Sequence, residues 1–165
     1  MQSAKITAPS PGHTVRWPAA IWAGLIGGLT FLILEMVMVP LFLGGSPWMP
    51  VRGIAAILLG KGVLPPPPPT FGWDVFLAAL AVHLVLSVVF AAVLVWVTHR
   101  WDTGMAALAG AAGGLVLYGV NFYLFTGIFP WFAMSRGWVT IVSHLVFGAV
   151  VALTYKRLVH SRPLS

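Results

Sequence analysis

The sequence contains no cysteine and very little charge. Of its 165 residues, 7% are charged, and only three are acidic. Because a soluble globular domain carries about 25% charged residues, this chain cannot cover the surface of a water-soluble fold of its size. The absence of cysteine excludes a disulfide scaffold, thiolate metal sites and a cysteine nucleophile.

Apolar residues, in contrast, make up 59% of the chain. They occur in continuous stretches rather than in alternation with polar residues, so a β-barrel is not expected. Such a composition is also too apolar for a disordered chain. These features predict an all-α, polytopic membrane protein.

The net charge of +6 does not predict nucleic-acid binding. Most of the cationic residues flank apolar segments, where they anchor helix ends at the lipid surface. No basic cluster and no recognition motif accompanies them. Walker, GxSxG and HExxH motifs are also absent from the sequence, so a hydrolase is disfavoured and no enzymatic activity is predicted.

Four apolar segments are each long enough to cross about 30 Å of hydrocarbon, which takes about 20 helical residues. Asp74 and Asp102 suit helix N-termini. Pro130 is expected to end the third span, and Lys156 to close the fourth at the lipid head groups. The prediction is a four-transmembrane-helix bundle in a membrane domain 17–157 between polar tails 1–16 and 158–165, with spans at 17–43, 74–97, 103–129 and 137–155.

The distribution of cations predicts the orientation of these spans. The two tails and the second loop together hold six Lys and Arg residues, whereas the first and third loops hold three. Because cytoplasmic loops carry the excess of Lys and Arg, both termini are predicted to be cytoplasmic in a bacterial inner membrane. All eight tryptophans lie near predicted span ends, where the indole ring is most stable.

The first loop, 44–72, has an unusual composition. It opens with Gly-Gly-Ser-Pro and closes with five consecutive prolines at 65–69. Segment 51–59 is apolar but too short to cross a bilayer, so it is expected to form a short interfacial or re-entrant helix with Arg52 and Lys61 reaching the head groups. The proline run is expected to be a stiff polyproline II spacer.

One strongly polar residue lies deep in each predicted span, and these residues are Glu35, His83, Asn121 and His144. At 1.5 Å rise per residue, all four lie about 10–14 Å below the outer surface. Ionisable groups at such a depth are tolerated when they face the interior of a bundle. The four residues therefore predict one polar layer inside the membrane.

Small residues share the helical faces of these four polar residues. Such residues at four-residue spacing mark surfaces where membrane helices approach closely, which supports the inward direction of the polar groups. The sets are Gly24 and Gly28 with Glu35, Ala79, Ser87 and Ala91 with His83, Gly110 and Gly114 with Asn121, and Thr140, Gly148 and Ala152 with His144.

The polar layer is open to several interpretations. It is a hydrogen-bond network that fixes helix register, or a proton or ion pathway, because Glu and His form intramembrane relays. As a metal site it would use Glu35, His83 and His144, with Asn121 in support. As a b-type haem site it would use His83 and His144 as axial ligands. A lipid or quinone pocket is the remaining interpretation.

Three further residues, Ser87, Thr140 and Tyr118, are predicted to support this layer. Ser87 lies on the face of His83, and Thr140 lies on the face of His144. Tyr118 and Tyr123 flank Asn121 and are expected to line the same cavity. These residues are supporting candidates, and no catalytic residue is predicted.

Three stretches carry a resemblance to a known family. They are GLIGG followed by Glu35 and Pro40 in the first span, HLVLSVVFA from His83 in the second, and SHLVFG around His144 in the last. With Ser87, these residues resemble the pattern of the YagU-like small bacterial inner-membrane proteins, whose function is unknown. Some relatives are labelled sodium:proline symporters, but four spans are too few for the inverted-repeat architecture of such transporters.

Two classes of function therefore follow from the sequence. The first is proton, ion or metal handling through the polar layer, or haem or quinone binding there, in contact with the lipid bilayer. The second is an accessory structural subunit, with a second copy of the chain or a larger membrane complex as partner. Small-residue faces left over on the lipid side would favour the subunit, and a cavity leading outward from His83 would favour the pathway.

Overall fold

The computed structural model describes residues 14–64 and 69–161. Within these ranges it contains five α-helices and no β-strand. The helices are α1 (Trp17–Leu43), α2 (Trp48–Leu59), α3 (Trp73–Thr98), α4 (Thr103–Gly119) and α5 (Trp138–His160). Four segments, α1, α3, α5 and α4 with the turns that extend it to Gly127, are long and apolar enough to span a membrane. The predicted all-α fold, with four spans and a short helix in the first loop, is confirmed.

The long helices pack in the spatial order α3, α1, α5, α4. Helix α1 contacts both α3 and α5, α4 packs along α5, and α2 lies on α3. Helices α3 and α4 contact each other much less, although only residues 99–102 connect them. One close approach between them joins Gly113 and the side chain of Leu94.

Glycines bring the backbones of α4 and α5 into direct contact. A Cβ atom at Gly114 would overlap the carbonyl oxygen of His144, and one at Gly148 would overlap the carbonyl oxygen of Gly110. In lipid, where apolar burial drives little association, such close packing holds helices together. The predicted small faces around Asn121 and His144 are therefore the surfaces on which α4 and α5 meet.

A second glycine face joins α1 to its neighbours. A Cβ atom at Gly24 would lie 2.8 Å from the Cα of Val88, and one at Gly28 would lie 2.5 Å from the Oγ of Ser87. Gly27 approaches Val151 of α5 in the same way. Helix α1 thus packs closely between α3 and α5, and its three glycine positions leave no room for larger side chains.

The third span is not one continuous α-helix. Helix α4 ends at Gly119 and is followed by a π-helical turn, Val120–Leu124, and a 3₁₀ turn, Phe125–Gly127. Pro130 lies beyond this span, as predicted, and begins a further 3₁₀ segment, Pro130–Ser135. Because a π turn shifts the register of the residues that follow, Asn121 does not occupy the regular helical position that the sequence predicts.

Lys156 has a different role from the one predicted. Helix α5 continues to His160, beyond the predicted end of the span at Tyr155. The Lys156 side chain is 6% exposed, and its ammonium group donates to the carbonyl of His99 at 2.8 Å and also to that of Trp101. It therefore binds the loop between α3 and α4 instead of reaching lipid head groups.

Arg52 likewise bonds within the protein. Its guanidinium group donates to the carbonyl of Thr70 at 2.7 Å and to that of Val63 at 2.9 Å. These bonds attach α2 to the segments on both sides of the proline run. Arg52 therefore holds the loop together through its backbone carbonyls, and its contact with the head groups stays a prediction.

Parts of two predicted features lie outside the described residues. They are prolines 65–68 of the predicted spacer, and the tails 1–13 and 162–165. Within the described part, Pro69 accepts a 2.8 Å hydrogen bond from Ser46. Arg16 donates to the carbonyl of Val159 at 3.2 Å, so the first residues before α1 lie against the end of α5.

The close contact between α4 and α5 gives the first testable prediction. Gly114→Ala should lower stability by about 1–3 kcal/mol, the usual cost of forcing atoms into a packed interior. Gly119→Ala is the matched control, because Gly119 lies in the same helix with open space around it; it should be neutral or stabilising by up to about 1 kcal/mol. Thermal unfolding in detergent, followed by circular dichroism, measures both. Equal melting temperatures for Gly114→Ala and the wild type would contradict the backbone contact.

Candidate functional site

A partly open cavity of ≈ 610 Å³ lies between the long helices on the side of the bundle where α2 is found. Its walls include the four polar residues of the predicted layer, together with Ser87 and Thr140. Most of the remaining wall is apolar and much of it is aromatic. The aromatic lining residues are Phe31, Phe90, Phe122, Phe125, Phe129, Trp131, Phe132 and Phe147.

Glu35 is buried in the wall of this cavity and is incompletely hydrogen-bonded. Its side chain is 3% exposed, and within the described part of the chain its Oε1 atom has no hydrogen-bond partner. The hydroxyl groups of Thr140 and Ser143 lie beside the carboxyl group, but that of Ser143 donates to the carbonyl of Val139 at 3.1 Å. Because buried polar atoms are nearly always paired, a free carboxyl oxygen here is an exception that calls for a partner.

His144 is held by hydrogen bonds at both ring nitrogens. Its Nδ1 lies 2.7 Å from the carbonyl oxygen of Thr140, and that oxygen can only accept, so Nδ1 carries the proton. Its Nε2 lies 3.3 Å from the amide nitrogen of Asn121, which donates to it. This pattern defines a neutral imidazole with the proton on Nδ1.

His83 is oriented by the backbone of α1. Its Nε2 lies 2.8 Å from the carbonyl oxygen of Gly28, so in the neutral ring the proton is on Nε2 and Nδ1 keeps its lone pair. The bond is possible because Gly28 has no side chain, which lets α1 and α3 approach closely. A Cβ atom at Gly28 would overlap Ser87. Ser87, a supporting candidate, therefore acts through packing at the helix contact as well as lining the cavity.

The ring of Phe31 contacts both imidazoles. Its centroid is 5.3 Å from that of His83 and 4.7 Å from that of His144. Within the described part of the chain, no three His, Cys, Asp or Glu side chains form a group that could hold a metal ion, so Glu35, His83 and His144 do not converge as metal ligands.

Asn121 reaches His144 from the π-helical turn. Such turns are rare and frequently occur at functional sites, because they redirect a side chain and leave backbone groups unpaired. Arg136 compensates for this break, since its guanidinium group donates to the carbonyl of Phe122 at 2.7 Å and to the hydroxyl of Thr126 at 3.1 Å. A loop cation thus stabilises the turn that places Asn121.

The two tyrosines beside Asn121 do not line the cavity, contrary to the prediction. Tyr118 is buried, and its ring packs against Phe122 and against the imidazole of His144, with centroids 5.2 Å and 5.7 Å away. Tyr123 is 61% exposed, and the guanidinium carbon of Arg136 lies 4.5 Å from its ring centroid. Tyr118 therefore packs against His144 without lining the cavity, and Tyr123 faces the outside of the bundle.

Sequence reasoning missed the aromatic wall that closes the cavity on the α2 side. Trp131 donates from its indole nitrogen to the carbonyl of Gly53 at 2.9 Å, and Phe132 packs against Trp131 and Phe129. The available sequence signal is the dense aromatic run 129–132, of whose aromatic residues only Trp131 enters the sequence predictions by name, as one of the tryptophans near span ends. Ser143, next to His144 in the SHLVFG stretch, was also not identified as a neighbour of Glu35.

Comparison with protein-family models, with curated proteins and with solved structures finds no match for this chain. The resemblance to the YagU-like proteins therefore stays a prediction.

The hydrogen bonds of the two histidines predict different tautomers. In protein with ¹⁵N- and ¹³C-labelled histidine, solid-state NMR should show His144 protonated on Nδ1 and His83 protonated on Nε2 when both rings are neutral. Asn121→Leu should move the Nε2 shift of His144, because it removes the amide donor, and should leave His83 unchanged. An Nε2-protonated neutral ring at His144 would contradict the arrangement.

Proposed function

We propose that this integral membrane protein binds an apolar small molecule with a polar end in the cavity lined by Glu35, His83, Asn121 and His144. The observation that supports this most directly is the buried Oε1 atom of Glu35, which has no partner in the described part of the chain. A polar group of the ligand would supply that partner. The apolar body of the ligand would lie against the aromatic wall.

The size and chemistry of the cavity support binding. Small-molecule sites have volumes of about 300–1,000 Å³ and combine apolar walls with a few polar groups that set orientation. This cavity has ≈ 610 Å³ and gathers its polar groups from α1, α3, α5 and the π-helical turn. Asn121 and His144 already bond to each other, so the contacts left for a ligand are the unpaired carboxyl oxygen and Nδ1 of His83.

Binding is better supported than the other two functions inferred from the sequence. A proton relay needs hydrogen bonds between its members, but in the described part of the chain neither imidazole is hydrogen-bonded to Glu35. An accessory subunit would keep small-residue faces for a partner, whereas Gly24, Gly110 and Gly148 are used in contacts within the bundle. Assembly with a second copy or a larger complex remains a prediction.

The binding proposal predicts a saturable site inside the bundle. An uncharged photolabel, phenyl(trifluoromethyl)diazirine, should label cavity residues such as Ile54 and Phe90, and excess trifluoromethylbenzene should suppress that labelling. Labelling at lipid-facing Leu108, which is 70% exposed, should not saturate, because bulk lipid is not a site.

A matched pair of variants tests the location of this site. Ile57→Trp fills the cavity, since Ile57 lines it, and should abolish the saturable component. Leu58→Trp adds the same bulk next to it on α2, at a side chain that is 63% exposed, and should leave the labelling unchanged. Labelling that never saturates in the wild type, measured by mass spectrometry of peptides, would overturn the binding proposal.

We also propose that the protein resides in a bacterial inner membrane with both termini in the cytoplasm. The support is the excess of Lys and Arg in the tails and in the loop between α3 and α4. Reporter fusions after Arg100 and after Arg162 should report cytoplasm, and a fusion after Lys61 should report the opposite side. A C-terminal fusion that reports periplasm would reverse the orientation.

A further inference from the structure

We propose that the ligand of this cavity is a lipophilic organic cation whose charge pairs with the Glu35 carboxylate and whose apolar body packs against the aromatic walls. This inference rests on the proposed function and names its ligand class. It is carried by the chemistry of the groups that face the cavity in the described part of the chain.

The charges around the cavity are asymmetric. Glu35 is the acidic residue of its lining, and within the described residues no Lys or Arg lines it. An ionised carboxyl group that is buried without a positive partner is strongly unfavourable. A cationic ligand supplies that partner, whereas an anionic ligand would meet a carboxylate of like charge.

The titratable neighbours of Glu35 do not supply the missing charge. His144 on α5 accepts from Asn121 at Nε2 and donates from Nδ1, so its ring is neutral. His83 on α3 uses its Nε2 for the carbonyl of Gly28, and within the described residues it makes no hydrogen bond to Glu35. Tyr118 on α4 contacts His144 and does not reach the cavity, and α2 contributes no titratable side chain to the described lining.

The aromatic walls suit a cation with an apolar body. Aromatic rings attract cations that lie over their faces, and they also bury apolar groups. Phe31 lies beside both imidazoles near Glu35, and Phe122 and Phe132, which pack against each other, also line the cavity. This combination of one carboxyl group with several aromatic rings selects for charge and hydrophobicity together.

The cavity offers such a molecule a route from the lipid. Leu86 and Phe90 line it from α3, and Leu117 and Phe125 from the segment that begins with α4. Leu86 is 40% exposed and Phe125 is 38% exposed, and α3 and α4 contact each other little, so we place the lipid entrance of the cavity between these two segments. A lipophilic cation dissolved in the membrane can enter there without crossing a polar surface.

Binding of a permanent cation is coupled to the release of one proton when the carboxyl group starts protonated. The O–H bond of Glu35 breaks, its electron pair stays on the carboxylate, and the proton passes to water while the ion pair forms. Below the pKa of Glu35, the affinity for the cation should therefore rise about tenfold for each unit of pH.

The test uses two probes of the same shape and opposite charge. Purified wild-type protein in detergent should bind tetraphenylphosphonium in equilibrium dialysis, more tightly as pH rises, and should not bind tetraphenylborate at the cavity. Glu35→Gln should weaken tetraphenylphosphonium binding by about ten- to a hundredfold, the usual range for a bond to a charged group. Asp74→Asn, which removes an acidic residue outside the cavity lining, is the matched control and should bind like the wild type.

The uncharged photolabel separates the two proposals. If Glu35→Gln keeps its saturable labelling but loses tetraphenylphosphonium, the cation proposal is supported and misfolding is excluded. If the label saturates but tetraphenylborate binds as well as tetraphenylphosphonium, or if pH has no effect, the cation proposal is overturned and the binding function stands. If the label does not saturate in the wild type, both fail. If Glu35→Gln does not fold, the comparison of tetraphenylphosphonium with tetraphenylborate and the pH series, both on the wild type, still test the cation proposal.

Discussion

The contact between the backbones of α4 and α5 determines the position of most other parts of the site. Gly114 lies against the carbonyl oxygen of His144, and Gly110 lies against Gly148. With no side chains between them, the two helices can adopt only one spacing and one register. His144 thereby reaches Asn121 with its imidazole while its own backbone is part of the helix contact.

Glycine contacts of the same kind also explain why a carboxyl group is buried. Helix α1 approaches α3 and α5 through Gly24, Gly27 and Gly28, which brings Glu35 to the point where three helices face one space. The helices pack tightly at the end of the bundle that holds the two chain termini, and they enclose the cavity at the end that holds α2. The polar groups lie where the tightly packed part meets the cavity. That boundary is where a ligand can contact both polar and apolar atoms.

The spans and the small faces were predictable because both depend on local properties, namely the length of an apolar stretch and the four-residue spacing of small residues. Recruitment of Glu35, His83, Asn121 and His144 to one cavity followed from depth and helical face. The π-helical turn could not be predicted, since it depends on the donors that Arg136 brings from another segment. The contact of Phe31 with both imidazoles is likewise a product of three-helix packing.

Cations in this protein also show why position in sequence does not determine role. Arg52 and Lys156 occupy places where cations normally meet lipid head groups, yet each bonds to backbone carbonyls of a loop. Such a carbonyl is a weaker acceptor than a charged phosphate oxygen, but it is available once a loop folds back. A cation that meets head groups can be distinguished from one that bonds to a loop only when the path of the loop is known. The composition of the sequence does not predict that path.

The proposed lipid entrance between α3 and α4 would be held at one end by contacts within the protein. Lys156 binds the connecting loop through the carbonyls of His99 and Trp101, and Gly113 meets Leu94 on that side of the bundle. Any widening would therefore be confined to the end away from this loop, where it displaces the surrounding lipid chains. The ease of entry into the cavity would then depend on the lateral pressure and thickness of the bilayer, so the same protein would admit its ligand at different rates in membranes of different composition.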